Sequence, residues 1–435
     1  MCTAVIVAGG MGTRMADEYP GIPKCLVPVA GTPIIIRQIE ALKASGFNDI
    51  AVTVGHLGRQ VRDALGDGAG LGVALRYLEE DRPLGTGGAL AALRGRVRGD
   101  FLVILGDIVF DVDLARMLSF HRAGPARITL AVHPNDHPQD SDLVLADREG
   151  TVLGWISKRD PRPDAYPNLV NSGLYVFSPA AIEGLEVEQK LDLDRDIVVP
   201  QIRSGWVRAY RTTEYIKDAG TPGRRGQVEV AVASGLVARR NLRHRQRAVF
   251  LDRDGTLNVH RGLLHRPEAL ELEASVAHAV GHLNRSPYLA ICITNQPVIA
   301  RNLCSLDELR TIHWRLDVLL GQGGAYLDDL YFCPHHPDGG YPEERREYKI
   351  PCACRKPGIG LVKEAALRYN IDLTRSWFVG DTTTDMRTGA AAGTRTVLVA
   401  TGLGGNDGRY PVRPDQEAWN LEEAVARILD EEEDS

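Results

Sequence analysis

The sequence has no apolar run approaching the roughly 18–20 residues a helix needs to cross a bilayer, so no membrane partner is expected. It carries little net charge: 51 Lys and Arg against 57 Asp and Glu leave −6. That gives no electrostatic ground for binding nucleic acid. No basic residue precedes the apolar run in MCTAVIVAGGMGTRM, so a secretory signal is not expected. Cysteine is sparse and odd in number, seven in 435 residues, which fits a reducing, cytoplasmic setting with thiols that are buried or bind metal. Internal repeats and long low-complexity segments are absent. What is present is ordinary for a globular chain: 44% hydrophobic and 25% charged residues exclude a largely disordered, collagen-like or coiled-coil protein. The length predicts two or three domains. Glycine is plentiful at 45 residues, favouring turns and close backbone approach to ligands.

Short apolar runs at Ala4–Val7, Ile50–Val54, Val73–Tyr77 and Leu102–Leu105 alternate with helical patterns such as Pro33–Ser45 and Ala89–Arg94. This predicts an α/β domain with a mostly parallel sheet. Between Ile128 and Asn171, Pro134, Pro138, Pro161, Pro163 and Pro167 predict loops and short strands. The character changes at ARRNLRHRQR. This basic stretch reads as a solvated linker, residues 239–247, in preference to an RNA-contacting segment, and it divides domains at 1–238 and 248–430. The second half alternates again, with strands at Ala248–Leu251, Leu289–Thr294, Leu330–Phe332, Trp377–Val379 and Val397–Val399. Helical patterns lie at Leu306–Leu320, Leu361–Tyr369 and Asp385–Ala392. The tail EEEDS is expected to fray.

In the first half, the strand Ala4–Ala8 runs into GGMGTR. Gly9, Gly10, Gly12 and Thr13 offer backbone N–H groups that can cradle phosphates, and Arg14 adds charge. Pro23 and Lys24 follow, giving GGxGTR…PK. This resembles the signature of the sugar-1-phosphate nucleotidyltransferases, and the likeness continues through the first half of the chain. EEDRPLGTGGAL, with Glu80, Gly85 and Thr86, resembles the family's base-reading loop. LGD places Asp107 at a strand end, where the family binds metal. Ser157–Lys158 resembles a segment that commonly reads EK, with Lys158 the sugar-phosphate contact and Ser157 a departure. NSGLYVF, with Asn171, resembles the sugar-recognition strand. KDAGTP resembles DIGTP, whose Asp, here Asp218, is the second metal ligand. The resemblance implies a Rossmann-like (GT-A-like) domain in which a sugar phosphate attacks the α-phosphorus of a nucleoside triphosphate. Arg14, Lys24 and a Mg²⁺ on Asp107 and Asp218 would stabilise the developing charge. Singly, Lys24 reads equally as a surface lysine, Asp107 as a strand cap and Asp218 as a turn residue; their order and spacing join them. Glu80 favours guanine, because a carboxylate can accept from both N1–H and N2–H₂, whereas thymidylyl and uridylyl relatives typically carry Gln there.

In the second half, AVFLDRDGTLN delivers Asp252 and Asp254 from an apolar strand. DxDGT resembles motif one of the haloacid-dehalogenase-like phosphatases, and the other motifs follow in order: Thr294 with Asn295, then Lys356 in CRKP, then Asp381 in GDTTTD. The resemblance implies a Rossmannoid domain in which Asp252 attacks phosphorus and Asp254 serves as general acid and then base. The environment must then split the two pKa values. Thr294, Asn295, Arg355 and Lys356 would hold phosphate. Mg²⁺ would lie on Asp252, Asp254 (through its carbonyl) and Asp381, with Asp385 further out. Between motifs two and three, Cys333, His335, Cys352 and Cys354 offer three thiolates and an imidazole, a donor set for structural Zn²⁺ that would pin a polar, Pro-rich loop. His336 has the wrong spacing, and Cys2, Cys25, Cys292 and Cys304 read as buried small residues.

The CxH…CxC loop with RKP narrows the likeness to heptose 1,7-bisphosphate phosphatases and the related histidinol-phosphate phosphatases. Fusion favours the former, because heptose 1-phosphate, the phosphatase product, suits a sugar-1-phosphate guanylyltransferase. The expectation is a bifunctional enzyme making GDP-heptose. Two alternatives stay open: a mannose-1-phosphate guanylyltransferase joined to a histidinol-type phosphatase, and a regulatory protein with an inactive transferase domain. Small-molecule substrates are the expected partners, and the oligomeric state, a homo-oligomer included, is left open.

Overall fold

The structure is a computed structural model, and it describes residues 3–9, 18–55, 57–340 and 343–433. The chain forms two compact units. The first comprises residues 1–133, 144–156 and 170–241; the second comprises 134–143, 157–169 and 242–435.

The first unit is built on a nine-stranded sheet. Its parallel part places Ala4–Val7 between Asp49–Val54 and Phe101–Leu105, with Ala74–Glu79 outside Asp49–Val54. In chain order this is third, second, first, fourth. The inner strands Ala4–Val7 and Phe101–Leu105 are apolar and almost wholly buried, as a parallel strand covered on both faces must be, whereas the edge strand Ala74–Glu79 is largely exposed. The helix Ile34–Ala44 covers the sheet with Ile35, Ile39 and Leu42, spaced for one helical face. Beyond Phe101–Leu105 the sheet turns antiparallel at Val170–Phe177, which also pairs with Ile128–His133.

The second unit is a six-stranded parallel sheet with the order Asp329–Cys333, Tyr288–Asn295, Arg247–Leu251, Trp377–Gly380, Arg395–Val399, Gln416–Ala418. In the unit's own chain order this is 3-2-1-4-5-6, the doubly wound arrangement. Helices Val276–Asn284, Leu306–Gln322 and Leu421–Glu433 join one core, through Val280, Leu309, Leu316, Val425 and Ile428. Helix Gly360–Arg368 covers a second core with Phe250, Ile291 and Phe378.

The predicted strands and helices recur with small shifts at their ends, and three expectations change. Ala89–Leu93 is a 3₁₀ segment, not an α-helix, following a single α-turn at Gly85–Gly88. The Pro-rich stretch holds loops and short strands as expected: Ile128–His133, Leu143–Ala146 and Val152–Ile156. The tail does not fray at its start, because Leu421–Glu433 is one helix. The basic stretch is solvated only in part: Arg239, Arg243, His244 and Arg245 are exposed, while Arg240, Asn241, Leu242 and Gln246 are buried. Asn241 Nδ2 donates to Asp111 Oδ1 in the first unit. In the second, Gln246 N donates to Asn370 O and Gln246 O accepts from Asp372 N. Among the described residues, no helix is long and apolar enough to cross a membrane.

Candidate active sites

In both sheets the first and fourth strands lie side by side while their chain continues in opposite directions. The crevice at the carboxyl ends of such strands is the general ligand site of open α/β sheets.

In the first unit, Gly9 leaves the first strand. A Cβ there would lie 3.1 Å from Glu80 Oε2, so the glycine turn and the expected base-reading carboxylate meet. Burial pushes the Glu80 carboxyl above its ordinary range, against the backbone N–H of Leu84. Gly10, Gly12, Thr13 and Arg14 lie outside the described residues. Asp107 follows the fourth strand, and Lys24 forms an ion pair with its Oδ2. Strand Tyr215–Asp218 runs antiparallel to Ile108–Asp111 with Asp218 opposite Ile108, and Ala219 N donates to Asp107 O at 2.8 Å. Asp218 therefore arrives beside Asp107. A Cβ on Gly220 would lie 2.6 Å from Lys24 Nζ and 3.1 Å from Asp218 Oδ1, so this glycine sits where the lysine and the second aspartate come together. Arg224, in the first turn of a helix capped by Thr221, donates to both Asp218 oxygens at 3.1–3.2 Å.

Gly85 and Thr86 serve the protein's own backbone. Gly85 has φ +78° and its Cβ would fall 2.4 Å from Leu191 O, while Thr86 Oγ1 accepts from Leu193 N at 2.9 Å. The same segment meets Asn171: Asp194 Oδ1 accepts from Asn171 Nδ2 at 3.0 Å and from Tyr175 O–H at 2.7 Å. Asp194 and Arg224 were not singled out in the sequence; neither belongs to a spaced motif, and each is recruited by topology. Lys158 falls in the second unit, with Nζ 3.0 Å from Asp142 Oδ2 and its N–H on Asp142 Oδ1.

In the second unit, Asp252 and Asp381 follow the first and fourth strands, and Thr294 and Asn295 are the last two residues of the second. Lys356 Nζ lies 2.7 Å from Asp252 Oδ1 and 2.6 Å from Asp385 Oδ1. Asn295 fixes the lysine's backbone from both sides: its Oδ1 accepts from Lys356 N at 2.9 Å and its Nδ2 donates to Lys356 O at 3.2 Å. Asp252, Asp381 and Asp385 are all buried, and each can bring an oxygen within 4.8 Å of the others. Three carboxylates against one ammonium leave an excess of negative charge, and Asp381 Oδ1 is buried without a hydrogen-bond partner. A hard divalent cation fits this donor set. Both oxygens of Asp385 are already engaged, by Lys356 and by the Thr382 cap, so Asp385 acts as a brace. Asp381 is clamped between backbones: a Cβ on Gly255 (φ +86°) or Gly402 (φ +58°) would lie 2.2 or 2.1 Å from its Oδ2.

The Asp254 side chain is outside this carboxylate group. Arg253, fully buried, grips it with Nη2 at 2.8 Å to both oxygens; Gln296 Nε2 adds a bond at 2.9 Å and Asn258 Nδ2 one at 3.1 Å. The expected pKa split exists with its sense reversed. Burial and then Asp385 push Asp252 well above the carboxylate range, against Lys356. Burial alone would raise Asp254, but the Arg253 charge and the donors around it hold it below its ordinary value. Burial and Asp385 raise Asp381 to about 7.

Cys333, His335, Cys352 and Cys354 converge. Cys354 Sγ lies 3.2 Å from the sulfurs of Cys333 and Cys352 and 3.2 Å from His335 Nδ1, and Cys333 and Cys352 are 3.6 Å apart. These are edges of a tetrahedron sized for one ion. Arg355 Nη1 donates to His335 O at 3.0 Å, and His336 is outside the group. Cys25, Cys292 and Cys304 are buried and free; Cys2 lies outside the described residues.

Each unit thus has the layout of an α/β enzyme that handles phosphoryl groups with carboxylates and lysine. Comparison with known proteins agrees. The chain belongs to the nucleotidyl transferase family, whose model matches residues 3–221, and its second half to the HAD-like phosphatases, with a HAD-hydrolase-like model matching residues 353–424. The first half is similar to mannose-1-phosphate guanylyltransferase of Mycobacterium tuberculosis, 29% identical over half of this chain and 61% of the relative; the chain thus spans less than two thirds of that protein. The second half is similar to D-glycero-D-manno-heptose-1,7-bisphosphate 7-phosphatase of Thermosynechococcus vestitus, 40% identical over 42% of this chain and 94% of the relative. The crystal structure of D,D-heptose 1,7-bisphosphate phosphatase from B. bronchiseptica is 29% identical, matching 43% of this chain and 99% of that one with a TM-score of 0.38.

Proposed function

We propose that this is a bifunctional enzyme of nucleotide-activated heptose synthesis. Residues 248–430 hydrolyse the 7-phosphate of D-glycero-D-manno-heptose 1,7-bisphosphate. Residues 1–238 then transfer GMP from GTP to the resulting heptose 1-phosphate, giving GDP-heptose and pyrophosphate, and residues 239–247 join the two domains. One observation carries the reading: a phosphatase half that spans 94% of a heptose-bisphosphate phosphatase shares a chain with a sugar-phosphate nucleotidyltransferase half.

In the phosphatase, an Asp252 oxygen attacks phosphorus while the bond from phosphorus to the sugar oxygen breaks. Asp254, once released from Arg253 and protonated from solvent, gives that proton to the leaving oxygen and then takes one from the water that cleaves the aspartyl-phosphate. Thr294, Arg355 and Lys356 hold phosphoryl oxygens, and Asn295 sets the position of Lys356. A Mg²⁺ on Asp252, Asp381 and the Asp254 carbonyl would supply positive charge that keeps Asp252 ionised. The cysteine and histidine group would hold structural Zn²⁺. In the transferase, the attacking oxygen is the substrate's own, so the residues position and neutralise. Gly9 and Lys24 would bind the triphosphate together with Gly10, Gly12, Thr13 and Arg14, which lie outside the described residues, Gly85 and Thr86 shape the base loop, and Glu80 accepts from guanine. Asp107 and Asp218 would hold the second Mg²⁺, and Asn171 binds sugar. Free thiols and small polar substrates suit the cytoplasm.

A second reading has one observation in its favour: the similarity to mannose-1-phosphate guanylyltransferase makes mannose 1-phosphate the alternative acceptor. The test is a coupled assay with Mg²⁺, heptose 1,7-bisphosphate or mannose 1-phosphate, and each of GTP, ATP, CTP and UTP, read by mass. GDP-heptose, lost on Asp252→Asn and restored by heptose 1-phosphate, is the expected result. Phosphate release with no nucleotide sugar from any acceptor would leave the first half without the proposed activity.

A further inference from the structure

Helix Val276–Asn284 carries two histidines one turn apart, His278 and His282. Their Nε2 atoms are 3.2 Å apart, and the rings meet edge-on with centroids 4.5 Å apart. The other nitrogen of His278, Nδ1, lies 2.7 Å from Glu422 Oε1. Glu422 sits in the first turn of helix Leu421–Glu433, packed on the same core, and the Ser275 hydroxyl also holds it. A carboxylate can only accept, so His278 carries its proton on Nδ1 and its Nε2 lone pair points at His282. Two imidazoles bound to one ion at about 2.0–2.1 Å with tetrahedral angles would have their nitrogens roughly 3.3 Å apart. A carboxylate on the far nitrogen of a ligating histidine is the usual second support of a metal site.

We propose that His278 and His282 form a divalent transition-metal clamp, oriented by Glu422 and distinct from the cysteine group. Imidazole donors select Cu²⁺, Ni²⁺ or Zn²⁺ over Mg²⁺. Solvent completes the coordination, since both rings face water. Because Glu422 belongs to the C-terminal helix, an ion on His278 also fastens that helix to Val276–Asn284.

The experiment is a Ni²⁺ titration by calorimetry on full-length protein without a histidine tag, comparing wild type with His278→Ala and His282→Ala. All keep the cysteine group, so their difference isolates the clamp. Wild type should bind one Ni²⁺ more than either variant, and Glu422→Ala should weaken that event roughly tenfold. Ni²⁺ should raise the melting temperature of wild type more than that of either variant. The substitutions are at the surface, and unchanged circular dichroism controls for folding. Equal Ni²⁺ stoichiometry in wild type and both variants would overturn the proposal and leave a plain hydrogen bond between the two rings.

Discussion

The two units place their chemistry at the same topological point, yet wrap it differently. In the first, the Lys24 and Asp107 side chains keep 23% and 27% of their exposure; in the second, Lys356, Asp252 and Asp385 keep 3%, 12% and 0%. The difference follows from the chemistry each family performs. A carboxylate that must attack phosphorus gains from being stripped of water and lined up against a fixed lysine. A site whose nucleophile arrives with the substrate needs room for two large ligands and only positions charge around them. One order of four parallel strands thus supports a more buried nucleophilic site and a more exposed binding site, and the side chains after the strands decide which.

That contrast can be broken at several points, beginning with the largest effect. Asp252→Asn should reduce phosphate release by at least about 10⁴-fold while leaving nucleotide transfer to supplied heptose 1-phosphate within twofold or so of wild type. Residual turnover above that level would remove Asp252 from the role of nucleophile. Lys24→Met should cost the transferase about 10²–10³-fold in kcat and spare the phosphatase; parallel assays of one preparation check both. Cys354→Ser, or chelation, should lower the phosphatase unit's melting temperature on the order of 10 °C, measured by calorimetry, without moving the first unit's transition. Gly402→Ala forces a Cβ into Asp381 at a positive φ and should cost about 1–3 kcal/mol, read in a urea melt, together with weaker Mg²⁺ activation. Glu80 gives the mildest test. An acid with a raised pKa takes up its proton at higher pH, so the KM for GTP should begin to climb on acidification above the usual glutamate range. Glu80→Gln should flatten that climb, and an identical profile in the variant would detach Glu80 from base recognition.

The strands that carry motifs were legible because a buried parallel strand is an apolar run with a polar residue just past its end, as at Leu251–Asp252 and Val379–Gly380–Asp381. The cysteine group was legible because its donors are rare and tightly spaced. Arg253 shows what spacing cannot reveal. It stands at the variable position of DxDGT, where charge suggests solvent, yet it is fully buried on Asp254, with His313 Nε2 3.3 Å from its Nη1. Arg224 on Asp218 and Asp194 on Asn171 are alike: each pairing joins residues that local pattern treats separately. The reversed pKa order of Asp252 and Asp254 was hidden for the same reason, since it depends on which cation faces which carboxylate.

The segment from Leu191 to Asp194 works as a ruler. At one end Leu191 O and Leu193 N are fitted to Gly85–Gly87 and Thr86; at the other Asp194 is fitted to Asn171 and Tyr175. Its length is therefore fixed by two unrelated fits. An insertion or deletion inside it could satisfy one end only by misplacing the other. Length variation should be tolerated far better just before it, in the exposed stretch 186–190, than within these four residues.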